Sequence, residues 1–152
     1  MTKSNLHPIQ HTNVRVKQIK FCLDDDRTLD DVPEKLTVAT QFRHHDFDSE
    51  TKTLQIDVRV AIGVDDETIP FELIVELNSL FTVDTNEFSE GLIDSWAKGN
   101  GCLLMMPYLR EHVHSLTSRV GIKELHLPLV NLPAFGGTDK PKDTQPSIET
   151  NN

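Results

Sequence analysis

The stretch TLQIDVRVAI, residues 53–62, alternates without a break: Leu54, Ile56, Val58, Val60 and Ile62 hold one phase, and Thr53, Gln55, Asp57 and Arg59 the other. Such a period of two marks a strand with one buried face. Downstream, Gly63 and the acidic residues 65–67 supply a turn. Ile69, Phe71, Leu73, Val75 and Leu77 then share a face opposite Glu72 and Glu76, giving a second strand as hairpin partner. Upstream, Leu36, Val38 and Phe42 keep the same period before a polar turn at 46–51, a third strand. The expected arrangement is an antiparallel meander. A fourth candidate, VRVKQIKFCL at 14–23, is out of phase with itself: Val14 and Val16 share one phase, Ile19, Phe21 and Leu23 the other. A bulge near Lys17 and Gln18 reconciles them. An edge position tolerates that break, and its lysines discourage unwanted pairing.

Beyond Val83 the period changes. Ser89 is placed to cap a short helix with Leu92, Ile93 and Trp96 on one side, and Gly99-Asn100-Gly101 is expected to end it. The stretch 103–106, LLMM, reads as an apolar connector, and Pro107 suits a first helical position because its missing N–H has no partner there. Leu109, Val113, Leu116 and Val120 then recur at helical spacing as one apolar stripe. Two prolines within 124–135 favour an extended segment. The Gly, Pro and polar residues of 136–152 predict a disordered tail, and 1–11 a flexible N-terminus, around one domain at 12–135.

Fifteen Lys and Arg against twenty-four Asp and Glu give a net charge of −9, a field that opposes nucleic acid. Cys22 and Cys102 form no CxxC or zinc pattern, which fits reduced thiols of a cytoplasmic protein. The N-terminal residues lack an apolar leader core, and no run approaches the roughly 18 apolar residues of a membrane span, so no membrane insertion is expected.

No catalytic or metal constellation emerges. His112 and His114 are two apart, which on a helix turns them about 200° from each other. His44 and His45, beside Asp46 and Asp48, are the more suggestive pair, and they carry the alternative of a small metal- or ligand-binding α+β enzyme. The runs Asp24-Asp25-Asp26 and Asp65-Asp66-Glu67 lack the spaced ligands of a calcium loop. Phosphate-binding, dinucleotide and nucleophile-elbow motifs are absent, so no catalytic residue, metal or cofactor is assigned and the expectation is a protein that is not an enzyme.

The C-terminal half carries a more specific signal. PYLREHVHSLTSRVGIKELHLPLVN, residues 107–131, resembles the signature region of the SecB family of export chaperones, matching at Pro107, Tyr108, Arg110, Glu111, Val113, Leu116, Ser118, Arg119, Leu125, Leu127, Val130 and Asn131. The order of elements agrees over roughly 12–135. Departures are also present: Val120, Gly121, Ile122 and Lys123 replace a Gly and an aromatic-Pro pair, and Gly101-Cys102 replaces a Cys-Pro. Asn78-Ser79 replaces a Gly-Gly, Val32 a tryptophan, and Pro133, Gly136, Gly137 and Pro141 leave no counterpart of the last helix.

The resemblance implies an α+β fold, a four-stranded antiparallel sheet followed by helices, assembling as a homotetrameric dimer of dimers. It implies an ATP-independent holdase that binds unfolded preproteins through exposed apolar grooves and keeps them competent for export. Leu36, Val38, Phe42, Leu103, Met105 and Met106 are the expected peptide-binding residues, the methionines because a flexible thioether repacks against varied clients. Leu109, Val113, Leu116 and Val120 are the expected oligomer interface. Where members that deliver clients to the SecA motor carry acidic docking residues, this chain has Gln18, Cys22 and Ile74, with Glu72 and Glu76 flanking the last. The resemblance therefore supports client holding better than handover to SecA. Some relatives instead protect an antitoxin of a toxin–antitoxin system, the alternative function.

Overall fold

The computed structural model describes residues 5–122, Leu125, Leu127 and the backbone of 147–149. Four long strands form one antiparallel sheet: β1 (Ile9–Leu23), β2 (Lys35–His44), β3 (Thr53–Ile62) and β4 (Phe71–Val83). The strand order is β1-β4-β3-β2-β5, with the three-residue β5 (Ser147–Glu149) against Lys35–Thr37. Strands β2, β3 and β4 make the expected meander. β1 departs from a simple meander by joining beyond β4 rather than beside β2, so the link 24–34 crosses between the two sides of the sheet. Otherwise the tail 136–152 and the segment 128–135 lie outside the described residues.

The out-of-phase first strand is resolved as its sequence demands. Register shifts between His11 and Asn13 and between Val16 and Gln18 leave Thr12 and Lys17 as the extra residues of two bulges. The second shift returns both apolar phases to one side. Val16 is opposite Leu77, Ile19 opposite Val75, Phe21 opposite Leu73 and Leu23 opposite Phe71, all partners in the core.

One helix-covered face of the sheet holds that core. Leu54, Ile56, Val58, Val60 and Ile62 of β3 and Leu73, Val75, Leu77 and Phe81 of β4 are almost wholly buried. The covering element starts with a 3-10 turn at Glu90–Leu92, continues as α1 (Ile93–Trp96), passes through a π-helical segment at Ala97–Gly101 and runs on as α2 (Cys102–Arg119). Ser89 occupies the N-cap position without a side-chain capping bond.

Gly99-Asn100-Gly101 therefore does not end the helix, 103–106 is not a connector, and Pro107 lies inside α2. Packing explains each correction. In an unbroken α-helix Ile93 and Leu109 would point about 160° apart, and the wider π turn, advancing less per residue, brings both against the sheet. Gly101 has helical dihedrals, and a Cβ there would stand 2.3 Å from Ile56 Cδ1, so this glycine permits close approach of helix to sheet. Pro107 deprives the Leu103 carbonyl of its ladder partner on the exposed side, where solvent can replace it.

The two cysteines are sharply unequal. Cys102 is buried, its Sγ donates to the Ala97 carbonyl oxygen at 3.2 Å, and burial pushes its thiol pKa up to about 12. Cys22 is exposed on β1. A thiol reagent at neutral pH is expected to modify one equivalent in the folded protein and a second only in denaturant, since the thiolate is the reactive form. Two equally fast equivalents would contradict this helix–sheet packing.

Candidate functional site

The residues picked from sequence as a groove divide between core and surface. Leu36, Val38, Met105 and Met106 are 1%, 0%, 0% and 4% exposed, all within the buried core cluster. Phe42 is partly buried against them, and Leu103 alone of the set is well exposed. The stripe read as an oligomer interface behaves likewise. Leu109 and Val113 are fully buried against the chain's own sheet, while Leu116 and Val120 are partly buried against the same core. The helix face that packs is Cys102, Met105, Met106, Leu109, Val113 and Thr117.

What remains open is the far side of β1. Because α2 crosses β3 and β4, the core-facing row of β1 is roofed only at its start. There His11 stacks on Phe81 at 4.8 Å between centroids and meets Tyr108 of α2 edge-on at 5.5 Å. Ser79 gives its hydroxyl proton to the Asn13 carbonyl oxygen at 3.1 Å, which leaves its Oγ to accept from His11 Nε2 at 2.5 Å. Beyond this clasp the row emerges: Val16, Ile19 and Leu23 are 49%, 44% and 46% exposed, with Phe21 between them stacked on Phe71 at 5.5 Å. Helical spacing from Tyr108 puts His112, Ser115 and Arg119 on the flank of α2 that faces this row. Leu103 and Leu104, about half exposed, continue the apolar surface over the outside of the helix.

A long edge strand with an uncovered apolar row is an unusual thing for a soluble chain to leave bare. Its backbone offers unpaired donors and acceptors, and its side chains offer apolar area. Sequence reasoning placed Val16, Ile19 and Leu23 on the edge strand and overlooked them as site residues. Their signal was the two apolar phases themselves, since a bulge that merges them gives one continuous row.

The opposite face of the sheet is polar and centres on Asp57, 5% exposed. Its Oδ2 accepts from Arg43 Nη2 at 2.5 Å and His45 Nε2 at 2.8 Å, with Lys17 Nζ at 3.5 Å, and its Oδ1 accepts from Asn78 Nδ2 at 2.7 Å. Burial raises the Asp57 pKa, but the bonds from Arg43, Asn78 and His45 outweigh it and hold the carboxyl well below the usual range. His44, the neighbour of His45, points to the other face, where its Nε2 meets Asp94 Oδ1 at 3.1 Å. The two histidines thus serve separate carboxylates and do not converge, as adjacent strand residues cannot. Among the described residues no three His, Cys, Asp or Glu are grouped to hold a metal.

The sign for stability follows from the depressed pKa. A carboxyl that titrates lower in the folded chain than in the unfolded one stabilises above about pH 4, and that contribution is lost as pH falls through the folded value. Urea denaturation at about pH 6 and about pH 2 should show a loss on the order of 2 kcal/mol that Asp57→Asn lacks. Equal pH dependence in the two proteins would remove Asp57 from that role.

Gln18, Cys22 and Ile74 lie on this polar face, and the glutamates offered in their stead are engaged. Glu72 is ion-paired with Lys20, and Glu76 with Lys17 at 3.0 Å. No helix among the described residues is long and apolar enough to cross a membrane.

No protein-family model matches the sequence, and no curated protein does. Among solved structures, the chain is similar to the Mycobacterium tuberculosis Rv1957 SecB-like chaperone, solved in complex with a ChAD peptide from the Rv1956 HigA1 antitoxin. The TM-score is 0.59 at 20% identity, over 83% of this chain and 93% of that one. A protein of unknown function from Streptococcus agalactiae aligns at a TM-score of 0.41 and 13% identity, over 80% of this chain and 97% of the other. With its four-stranded antiparallel sheet followed by a covering helix, the chain has the fold of a SecB-like chaperone.

Proposed function

We propose that the chain is an ATP-independent holdase in which a non-native polypeptide lies along β1, against Val16, Ile19 and Leu23 and beneath the flank of α2. The observation that carries this reading is the uncovered apolar row on an edge strand. A client added as a strand would gain main-chain hydrogen bonds from any sequence, and its alternate side chains would meet the row. The bulge at Lys17 restricts regular pairing to 18–23, long enough for a grip on a short segment. Exposed Leu103, Leu104 and Tyr108 extend the apolar area for longer clients or for a second copy.

Protection of an antitoxin is the reading favoured over general export, because the M. tuberculosis chaperone of like fold holds an antitoxin peptide. Handover to SecA is the weaker reading, with Glu72 and Glu76 neutralised by lysines. The proposal retains a cytoplasmic homotetramer with one chaperone domain at 12–135, and moves its inter-dimer contact from the buried Leu109 and Val113 to Leu103, Leu104 and Tyr108. The net charge of −9 keeps such apolar surface soluble.

The test is light scattering of an aggregating unfolded protein with and without this chain, in the absence of ATP, together with its mass in solution. Suppression at near-stoichiometric ratios supports the holdase. Aggregation that proceeds unchanged at excess would refute it.

A further inference from the structure

The polar face of the sheet, away from the apolar row, is basic in an otherwise acidic chain. Arg15 and Lys17 of β1, Arg59 of β3 and Arg43 of β2 surround two carboxylates, Asp57 and Glu76, with Lys20 and Glu72 ion-paired beside them, whereas the remaining residues carry ten Lys and Arg against twenty-one Asp and Glu. Among the described residues no helix is laid over this face, and a depression of about 360 Å³ there is lined by Arg15, Val16, Lys17, His45, Gln55, Asp57 and Asn78.

The charges in this basin are unequally used. Asp57 draws Arg43, His45 and Lys17 inward, and Glu76 takes the rest of Lys17. Arg15 is bonded to a neutral partner, Asn78 Oδ1 at 3.3 Å, and Arg59 stands across from Glu76 in the register without an ion pair among the described residues. Two guanidinium groups on one face therefore have no carboxylate of their own. Gln18, Gln41 and Gln55 on the same face supply amides able to bond a peptide backbone.

We propose that this face docks an acidic segment of a partner polypeptide, whose carboxylates sit on Arg15 and Arg59 while Asp57 holds Arg43, His45 and Lys17 around them. Guanidinium groups bind carboxylates bidentately, which suits an extended segment with acidic side chains on one side. A long polyanion is the poorer fit. Nucleic acid extends tens of ångströms past the basin into the repulsive field of the other residues, whereas a short acidic segment meets the basin alone.

The experiment is fluorescence anisotropy of a fluorescein-labelled peptide alternating Glu and Ser, titrated with the full chain at low salt. The peptide with Lys in place of Glu and a single-stranded oligonucleotide of equal charge serve as comparisons. The acidic peptide should bind in preference to both. Joint Arg15→Glu and Arg59→Glu substitution should weaken it by roughly tenfold or more. If the double charge reversal does not fold, Arg15→Gln with Arg59→Gln keeps neutral hydrogen-bonding groups and should weaken binding severalfold. Equal affinity for the Lys peptide, tighter binding of the oligonucleotide, or indifference to both arginine pairs would overturn the proposal.

Discussion

Met105→Asp is expected to unfold the chain. Met105 is 0% exposed and packs in the same cluster as Leu109, Leu77 and Ile56. A carboxylate there would sit among the apolar side chains of that cluster, and an unpaired buried charge costs several kcal/mol beyond the lost packing. A domain of this size holds only about 5–15 kcal/mol in reserve. Met105→Ala, which leaves a cavity without a charge, should cost about 2–5 kcal/mol and retain a cooperative transition. Urea denaturation followed by circular dichroism separates the two variants. A Met105→Asp protein with native secondary structure, a near-normal midpoint and weakened client binding would return this methionine to the surface.

That contrast locates what the sequence could and could not tell. Alternation in 53–62 and 69–77 announced strands, and the broken phase of 14–23 announced its bulge, because side-chain period follows directly from backbone geometry. Register along the chain gives no strand order. One signal was available, since the link 24–34 is longer than the roughly 2–5 residues of a hairpin loop and so can carry β1 past β2. The helix boundaries were misread because Gly101 and Pro107 were taken by their intrinsic preferences. Tertiary contact decided otherwise, with Gly101 seated on Ile56 and Trp96.

The site was less legible for a related reason. An apolar residue at the right period is written the same way whether its cover comes from its own chain or from another. Leu109 and Val113 repeat at helical spacing for their own sheet, and Leu36 and Val38 at strand spacing for the chain's own core. Val16, Ile19 and Leu23 carry the same pattern and differ only because α2 passes over β3 and β4 and stops short of the edge. The polar face was hidden in another way. Asp57 looked like an ordinary outward residue of an alternating strand, and only the register brings Arg43 and His45 onto it from β2 and its end, Asn78 from β4 and Lys17 from β1 beyond β4.

Ile19→Asp is expected to leave the fold standing and to remove most of the client binding. With 44% of Ile19 already exposed, the folded chain gives up only part of the roughly 1.5–3 kcal/mol that full burial of such a side chain is worth. The new carboxylate reaches water at the edge of the sheet. A client pressed on the row loses about 100 Å² of apolar contact there, which at about 25 cal/mol per Å² is about 2.5 kcal/mol, a weakening on the order of 50–100-fold. Val16→Asp should act in the same direction from the other side of the Lys17 bulge, and a charge at Leu103, on the outside of the helix, should act less on short clients. Anisotropy of a labelled unfolded client, with the mass of each variant in solution, distinguishes the possibilities. A folded Ile19→Asp protein of unchanged mass and unchanged affinity would show that clients bind elsewhere. Loss of affinity with a fall in mass would instead make this row a contact between copies of the chain, since the two roles draw on the same bare edge of β1.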